Sequence, residues 1–408
     1  MHSICCISLF CFFGFCFGQV EGISGHLYTY KQIKRLVAKA RFGLASKGFK
    51  EGDIFAIYSP NCPEFGVVVL AVLQAGGIIT TLNPLYTVDE VVHQLEHSGA
   101  IYLITIPPFG DKALKAKGQL SHLKEVFVFG EYPGCTPYWS LLDNDGKSLP
   151  RSNITPDDVA LLPYSSGTTG LPKGVMLTHR NVIANMYQRT SHPFFKLLPG
   201  DCAMALLPYY HVFGLNVGLL QALWLGVKVV TLPRFQPETF LRTIQEYKVT
   251  GLALVPPLML FLAKSPLVDE YDLSSVQRIV CGAAPLSEDM IKFIANRIGV
   301  KFITQGYGLT EITCAVSIIP QEVVNYGPVG QILPNTEMKV VDVVTGKLLG
   351  PGQDGEIWLR GPQVMKGYLK NPEASAKCID KDGFFHTGES SSFFFAQSRA
   401  SLKPPSAP

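Results

Sequence analysis

Charge is scarce in this chain: Asp, Glu, Lys and Arg make up 16% of 408 residues, and the formal net charge is only +3. No Lys/Arg cluster stands out, so the footprint of a nucleic-acid binder or of a protein drawn to acidic lipid is missing. The ten cysteines form no C-x-x-C pair and no Cys/His spacing of a zinc site, which leaves free thiols in a reducing compartment as the expectation. No internal repeat appears. The Walker A spacing, the glycine-rich kinase loop and an H-R-D triplet are all absent, which argues against P-loop and protein-kinase chemistry. The apolar run Ile4 to Phe17 stops at 14 residues, short of the ~20 a membrane span takes, so stable membrane insertion is not expected.

What is present is core-forming material: 47% of residues are hydrophobic, and 38 Gly and 29 Pro imply many tight turns. Domains run ~100–200 residues, so a chain of this length is expected to hold two or three packed subdomains. Tyr30, Ile33, Leu36, Val37, Ala40 and Leu44 recur at helical steps, and Gly48 stops that helix. Strands are expected over Asp53 to Tyr58, Ile78 to Leu82, Ala100 to Thr105 and Glu125 to Phe129, with helices over Phe65 to Leu73 and Asp89 to Ser98 between them. The rhythm returns with strands over Ala203 to Leu207, Val227 to Leu232, Gly251 to Val255 and Arg278 to Gly282. Gly218 to Trp224, Pro237 to Tyr247 and Ser287 to Ile298 read as the intervening helices. Alternation of this kind predicts an α/β fold with mostly parallel sheets covered by helices. From about residue 327 short alternating strands, Met338 to Val344 and Glu356 to Arg360, predict a small antiparallel sheet or barrel.

The two ends stand apart. Residues 1–23 read as an apolar leader, similar to the core of a secretory signal but without a cationic start; a substituted start on a cytosolic protein is the other reading. Residues 390–408 are Ser/Pro/Ala-rich without periodicity and are expected to be disordered.

The strongest chemical signal is Ser165-Ser166-Gly167-Thr168-Thr169-Gly170-Leu171-Pro172-Lys173-Gly174. It follows the apolar strand Val159 to Tyr164 and precedes a helix that Thr178 would cap. Its glycines let the backbone wrap an anion, its hydroxyls add donors, and Lys173 brings a positive charge, as a triphosphate requires. A plain Gly/Ser linker would account for neither the buried strand before it nor the lone lysine.

This decapeptide resembles the signature of the adenylate-forming (AMP-binding) superfamily, which includes acyl-CoA synthetases, 4-coumarate–CoA ligases and luciferases. Four further stretches match in order: Tyr209-Tyr210-His211-Val212-Phe213-Gly214, Cys281-Gly282-Ala283-Ala284-Pro285-Leu286, Gln305-Gly306-Tyr307-Gly308-Leu309-Thr310-Glu311, and Gly355 to Gly361 with His386-Thr387-Gly388. The resemblance implies two mixed, mostly parallel sheets in αβαβα layers over residues 24–326, and a small β-barrel-like subdomain over 327–389. It implies ATP, Mg²⁺ and coenzyme A, with an aromatic or fatty carboxylic acid as substrate and activation of that acid as an acyl-adenylate. Ser165, Ser166, Gly167, Thr168, Thr169, Gly170 and Lys173 would then surround the phosphates, and Thr310 would bond the α-phosphate. Gly282, Ala283, Ala284, Gln305, Gly306, Tyr307 and Gly308 would lie around the adenine, and Glu311 would hold Mg²⁺. His211, Phe213, Ala283, Gly306, Gly308 and Ile318 would line the acid pocket.

The pattern breaks at Glu389, where the family places an Asp on the ribose hydroxyls, and nothing after it matches the family's small C-terminal domain. The resemblance therefore implies impaired catalysis by the chain as written. A non-catalytic ATP- or acyl-binding protein and a luciferase-like monooxygenase stay open as alternatives. Family members are cytoplasmic or peroxisomal; the chain ends Ser-Ala-Pro rather than S-K-L, and secretion is the alternative the leader offers.

Overall fold

A computed structural model describes residues 17–146, 152–165, 172–191, 194, 197–320, 330–350 and 352–391. Two nine-stranded sheets and one three-stranded sheet organise them. The first large sheet runs, edge to edge, through Gly367–Tyr368, Lys173–Thr178, Val159–Leu161, Ile78–Thr81, Ile54–Tyr58, Tyr102–Thr105, Glu125–Val128 and Thr136–Pro137, with Tyr164–Ser165 paired to Lys173–Thr178. The second runs through Gln331–Ile332, Ser317–Ile318, Phe302–Tyr307, Arg278–Cys281, Gly251–Leu254, Cys202–Ala205, Lys228–Thr231, Phe17–Glu21 and Leu27–Thr29. The central pairings of both are parallel, and antiparallel strands sit toward the edges.

Buried side chains divide by layer. Helices Tyr30–Ser46, Pro63–Gln74 and His179–Thr190 share one large cluster with both sheets, which makes them the filling between the two. Val88–Ser98 and Gly110–Lys117 cover the outer face of the first sheet. Pro237–Tyr247, Pro256–Lys264 and Glu288–Ile298 cover the outer face of the second. The order is αβαβα, and it follows from composition: Pro63–Gln74 is apolar on every side because both of its faces meet a sheet. Thr29, Thr87 and Thr178 each close a capping box at a helix start.

Three expectations need correcting, and one is narrowed. The leader expected through residue 23 overlaps Phe17–Glu21, which pairs in parallel with Lys228–Thr231 and antiparallel with Leu27–Thr29. A free sheet edge accepted that segment, although Gln19 is left with both side-chain polar atoms buried and without a partner among the described residues. The tail expected from residue 390 begins inside strand Phe385–Ser391; from 392 it lies outside the described residues. Of the two forms expected for residues 327–389, sheet or barrel, the structure has the sheet, three antiparallel strands of Glu337–Val341, Gly355–Arg360 and Phe385–Ser391, because the other two strands of that region joined the large sheets. Finally, the helix expected at Gly218 to Trp224 starts at Phe213 and is π-helical to Gln221, then α-helical over Ala222–Leu225. Gly214 lies where a Cβ would sit 2.1 Å from the Pro208 carbonyl oxygen, so the wide helix can begin against that turn only with glycine there.

All six described cysteines are unpaired thiols. Among the described residues no helix is long and apolar enough to cross a membrane.

Candidate active site

A cavity of about 1210 Å³ opens where the parallel strands of the second sheet end, facing the Tyr164–Lys173 region of the first. This is where open α/β sheets place ligands. Three of the matched stretches enter it from the carboxyl end of a strand: Cys202–Ala205 leads to the 209–214 turn, Arg278–Cys281 to the 282–286 turn, and Phe302–Tyr307 to Gly308 through Glu311.

Ser165 and Lys173 face each other across an antiparallel pair, so the two ends of the signature loop are clamped together at the cavity wall. Ser166, Gly167, Thr168, Thr169, Gly170 and Leu171 lie outside the described residues. The Ser165 hydroxyl donates to Glu311 Oε1 at 2.8 Å, and the Tyr368 hydroxyl donates to the same oxygen at 2.9 Å. Glu311 is buried, at 9% exposure, and its Oε2 takes no hydrogen bond from the described residues. Lys173 Nζ lies 5.0 Å from the Tyr368 ring centre, and no carboxylate of the described residues pairs with it. Burial, and then the neighbouring Glu311 carboxylate, push the Tyr368 hydroxyl well above its ordinary pKa, so it stays a donor.

Tyr307 is fixed at its tip, where its hydroxyl donates to Glu389 Oε2 at 2.7 Å. Burial first and this bond second raise its pKa. Glu389 is exposed at the rim, and its loop is held by Gly388 N–H donating to Glu356 Oε1 at 2.8 Å. Gln305 is buried and braces the facing turn: Leu286 N–H donates to its Oε1 at 2.6 Å. Ala283 has φ +75°, in the left-handed region that a Cβ disfavours. Ala283→Gly is expected to raise stability by roughly 0.5–1 kcal/mol, as strain relief outweighs glycine's extra unfolded entropy. A melting temperature at or below that of the parent chain would refute this.

Where the acid pocket is expected, His211 Nδ1 accepts the Phe213 N–H at 3.2 Å, which places the ring proton of the neutral form on Nε2. Desolvation by the surrounding protein lowers its pKa, keeping it neutral near pH 7. The turn that carries it is anchored by Asn61, whose Oδ1 accepts from Tyr209 N–H at 2.7 Å and whose Nδ2 donates to the Leu207 carbonyl at 2.9 Å. Phe213 packs on Gly282, where a Cβ would meet the ring at 3.1 Å. Gly308, expected to line the acid pocket, is small for a backbone reason. A Cβ there would lie 1.6 Å from the Cys314 carbonyl oxygen, so a tight backbone approach, and not room for a ligand, demands glycine.

Every expected site residue within the described part lines this one cavity: Ser165, Lys173, His211, Phe213, Gly282, Ala283, Ala284, Gln305, Gly306, Tyr307, Gly308, Thr310, Glu311, Ile318 and Glu389. Sequence reasoning missed Tyr368, Glu356 and Arg189. Tyr368 follows a glycine in a two-residue strand, and no spacing rule marks it. Arg189 did leave a signal, since it falls three residues after Met186 on the face that Val182 and Met186 bury. Among the described residues no group of three His, Cys, Asp or Glu side chains could enclose a metal, so an ion held at Glu311 would need most of its ligands from elsewhere.

Comparison with known proteins agrees with this arrangement. Residues 19–369 match the profile of the family described as AMP-binding enzyme. The chain is 39% identical over 377 residues to 4-coumarate–CoA ligase 1 of Solanum tuberosum, an alignment covering 91% of this chain and 69% of the potato protein. It superposes on a red-emitting luciferase of Phrixothrix hirtus with a TM-score of 0.82 at 34% identity, covering 92% of this chain and 71% of the luciferase. The ATP-bound MatB of Rhodopseudomonas palustris gives a TM-score of 0.87 at 26% identity, over 96% of this chain and 77% of that protein.

Proposed function

Because the chain belongs to the AMP-binding enzyme family, we propose that its cleft binds ATP and an aromatic or fatty acid and joins them as an acyl-adenylate, the first half of acyl-CoA formation. A carboxylate oxygen attacks the α-phosphorus, the bond to the β-phosphate oxygen breaks, and pyrophosphate leaves with the electron pair. A coenzyme A thiol would then displace AMP. The first step asks for positioning and charge stabilisation more than for covalent help.

Lys173 supplies positive charge beside the triphosphate, and the Thr310 hydroxyl bonds the α-phosphate. Glu311, with one oxygen held by Ser165 and Tyr368 and the other open, offers the hard oxygen ligand that Mg²⁺ takes, the remaining ligands being phosphate and water. Mg²⁺ would supply charge neutralisation on the phosphates. Tyr307 gives its face to the adenine, and Glu389 meets the ribose from the rim. Neutral His211 donates from Nε2 toward the acid carboxylate. The observation that carries this reading is the meeting of Ser165, Glu311, Tyr368 and Lys173 on the wall of the same cavity as His211.

The test uses an aromatic acyl-sulfamoyl adenosine, which mimics the bound intermediate without reacting. Intermediate analogues bind far more tightly than substrates, so saturating amounts are expected to stabilise the chain by several kcal/mol, or roughly 5 °C in melting temperature. No shift with aromatic or long-chain analogues would overturn the proposal.

A further inference from the structure

The acid end of the cavity contains a charge that the adenylation chemistry does not use. Arg189, on the last turn of helix His179–Thr190, lines the cavity at only 3% exposure. Its Nε donates to the Asn185 carbonyl at 3.2 Å and its Nη2 to the Asn216 carbonyl at 3.4 Å, while Nη1 meets no acceptor among the described residues. The acidic side chains lining the cavity are Glu311, Glu356 and Glu389, and each is engaged at the nucleotide end, with Ser165 and Tyr368, with Gly388, and with Tyr307. Burial lowers the Arg189 pKa, yet a guanidinium keeps its proton inside a protein. A buried charge with no counter-charge among the described residues is strongly unfavourable, and its place on a ligand cavity marks it as a candidate binding group.

A second polar group lines the same cavity. Gln221, also cavity-lining and 3% exposed, makes no hydrogen bond to the described residues, and its Oε1 is sealed without a partner. Gln221 ends the π-helix that Phe213 begins. Eight residues of helix put it roughly 10 Å from the Phe213–Gly282 contact. Arg189 reaches this helix through the Asn216 carbonyl, about one turn before Gln221, and Val217, Ala315 and Ile318 line the same cavity.

We propose that the acid bound here carries a second carboxylate at its far end, held by the Arg189 guanidinium with the Gln221 amide beside it. The inference rests on the acid-activating reading above. An apolar tail would leave the guanidinium without a counter-charge and the Gln221 Nε2 without an acceptor, whereas an ω-carboxylate supplies the charge and accepts from Nη1 and from Nε2. It does not relieve the Gln221 Oε1, which is itself an acceptor. The bond is charge-assisted on both sides, the stronger kind.

Calorimetry on the chain loaded with a non-hydrolysable ATP analogue and Mg²⁺ tests this with pairs of acids of equal length, one ending in a methyl and one in a carboxylate. At the best length the diacid is expected to bind at least about tenfold more tightly. Arg189→Met is expected to abolish that preference and, by removing an unpaired buried charge, to raise the melting temperature. Gln221→Leu is expected to reduce the preference by a smaller factor. Equal binding within every pair by the parent chain overturns the inference whatever the variants do, as does a preference that survives Arg189→Met. In either case, binding of the ATP analogue leaves the acid-activating reading standing. Failure of the parent chain to bind the analogue and every acid removes that reading as well.

Discussion

Lys173→Ala is expected to slow acyl-adenylate formation by about 10²–10³-fold, the usual effect of removing one preorganised donor from a developing negative charge. The expectation follows from how the lysine is left available. It is the first residue of a strand pinned to Ser165, and among the described residues only the face of the Tyr368 ring, 5.0 Å away, holds its ammonium. A cation–π contact of this kind is worth about 0.5–1 kcal/mol at an accessible site, too little to hold the charge back from a triphosphate. The substitution should therefore change stability little and rate greatly. Exchange of labelled pyrophosphate into ATP, with acid saturating, reads the adenylation step alone. A Lys173→Ala chain exchanging at the parent rate would mean that the lysine is structural and that the phosphates bind elsewhere.

The second large effect concerns acid sensitivity. His179, the first residue of the helix that Thr178 caps, is 1% exposed, and burial lowers its pKa from 6.5 to about 4, with Asp158 offsetting part of the shift. In the unfolded chain this imidazole takes up a proton near pH 6.5, but in the folded chain it does so only near pH 4. Between those values the unfolded state holds more protons, so stability falls as pH drops through that window and is unaffected above it. A shift of this size corresponds to about 3 kcal/mol in full, reached by pH 4. Urea unfolding at pH 7.5 and pH 4.5 is expected to show most of that loss in the parent chain and a distinctly smaller loss in His179→Gln. Parallel losses in the two proteins would show that other groups govern acid unfolding.

Much of this architecture could be read before any coordinates. The strands at 54–58, 78–81, 228–231 and 251–254 and the helix Pro237–Tyr247 were legible, because apolar runs bounded by Gly, Pro and Asn leave few alternatives. The strand Lys173–Thr178 was hidden, since it directly continues a glycine-rich loop and its pairing partners lie at Val159–Leu161 and Gly367–Tyr368. Phe302–Tyr307 was hidden in a different way: the diagnostic residues at its end drew a reading as a motif, and the strand that delivers them went unread. The site was legible through its motif residues and illegible through their supports. Tyr368 and Asn61 act through hydrogen bonds to residues far away in sequence, and one chain read alone carries no mark of such pairings. The left-handed φ of Ala283 was equally invisible, because glycine is the residue that announces that conformation.

The carboxylate of Glu311 gathers its partners from 146 residues upstream and 57 residues downstream. During synthesis the first sheet could assemble most of its strands early, but this cluster cannot close until residue 368 has emerged and its short strand has docked beside Lys173–Thr178. The nucleotide end of the cleft is therefore among the last features of the described chain to mature. A nascent chain halted before that point would hold a largely folded core around an unfinished site.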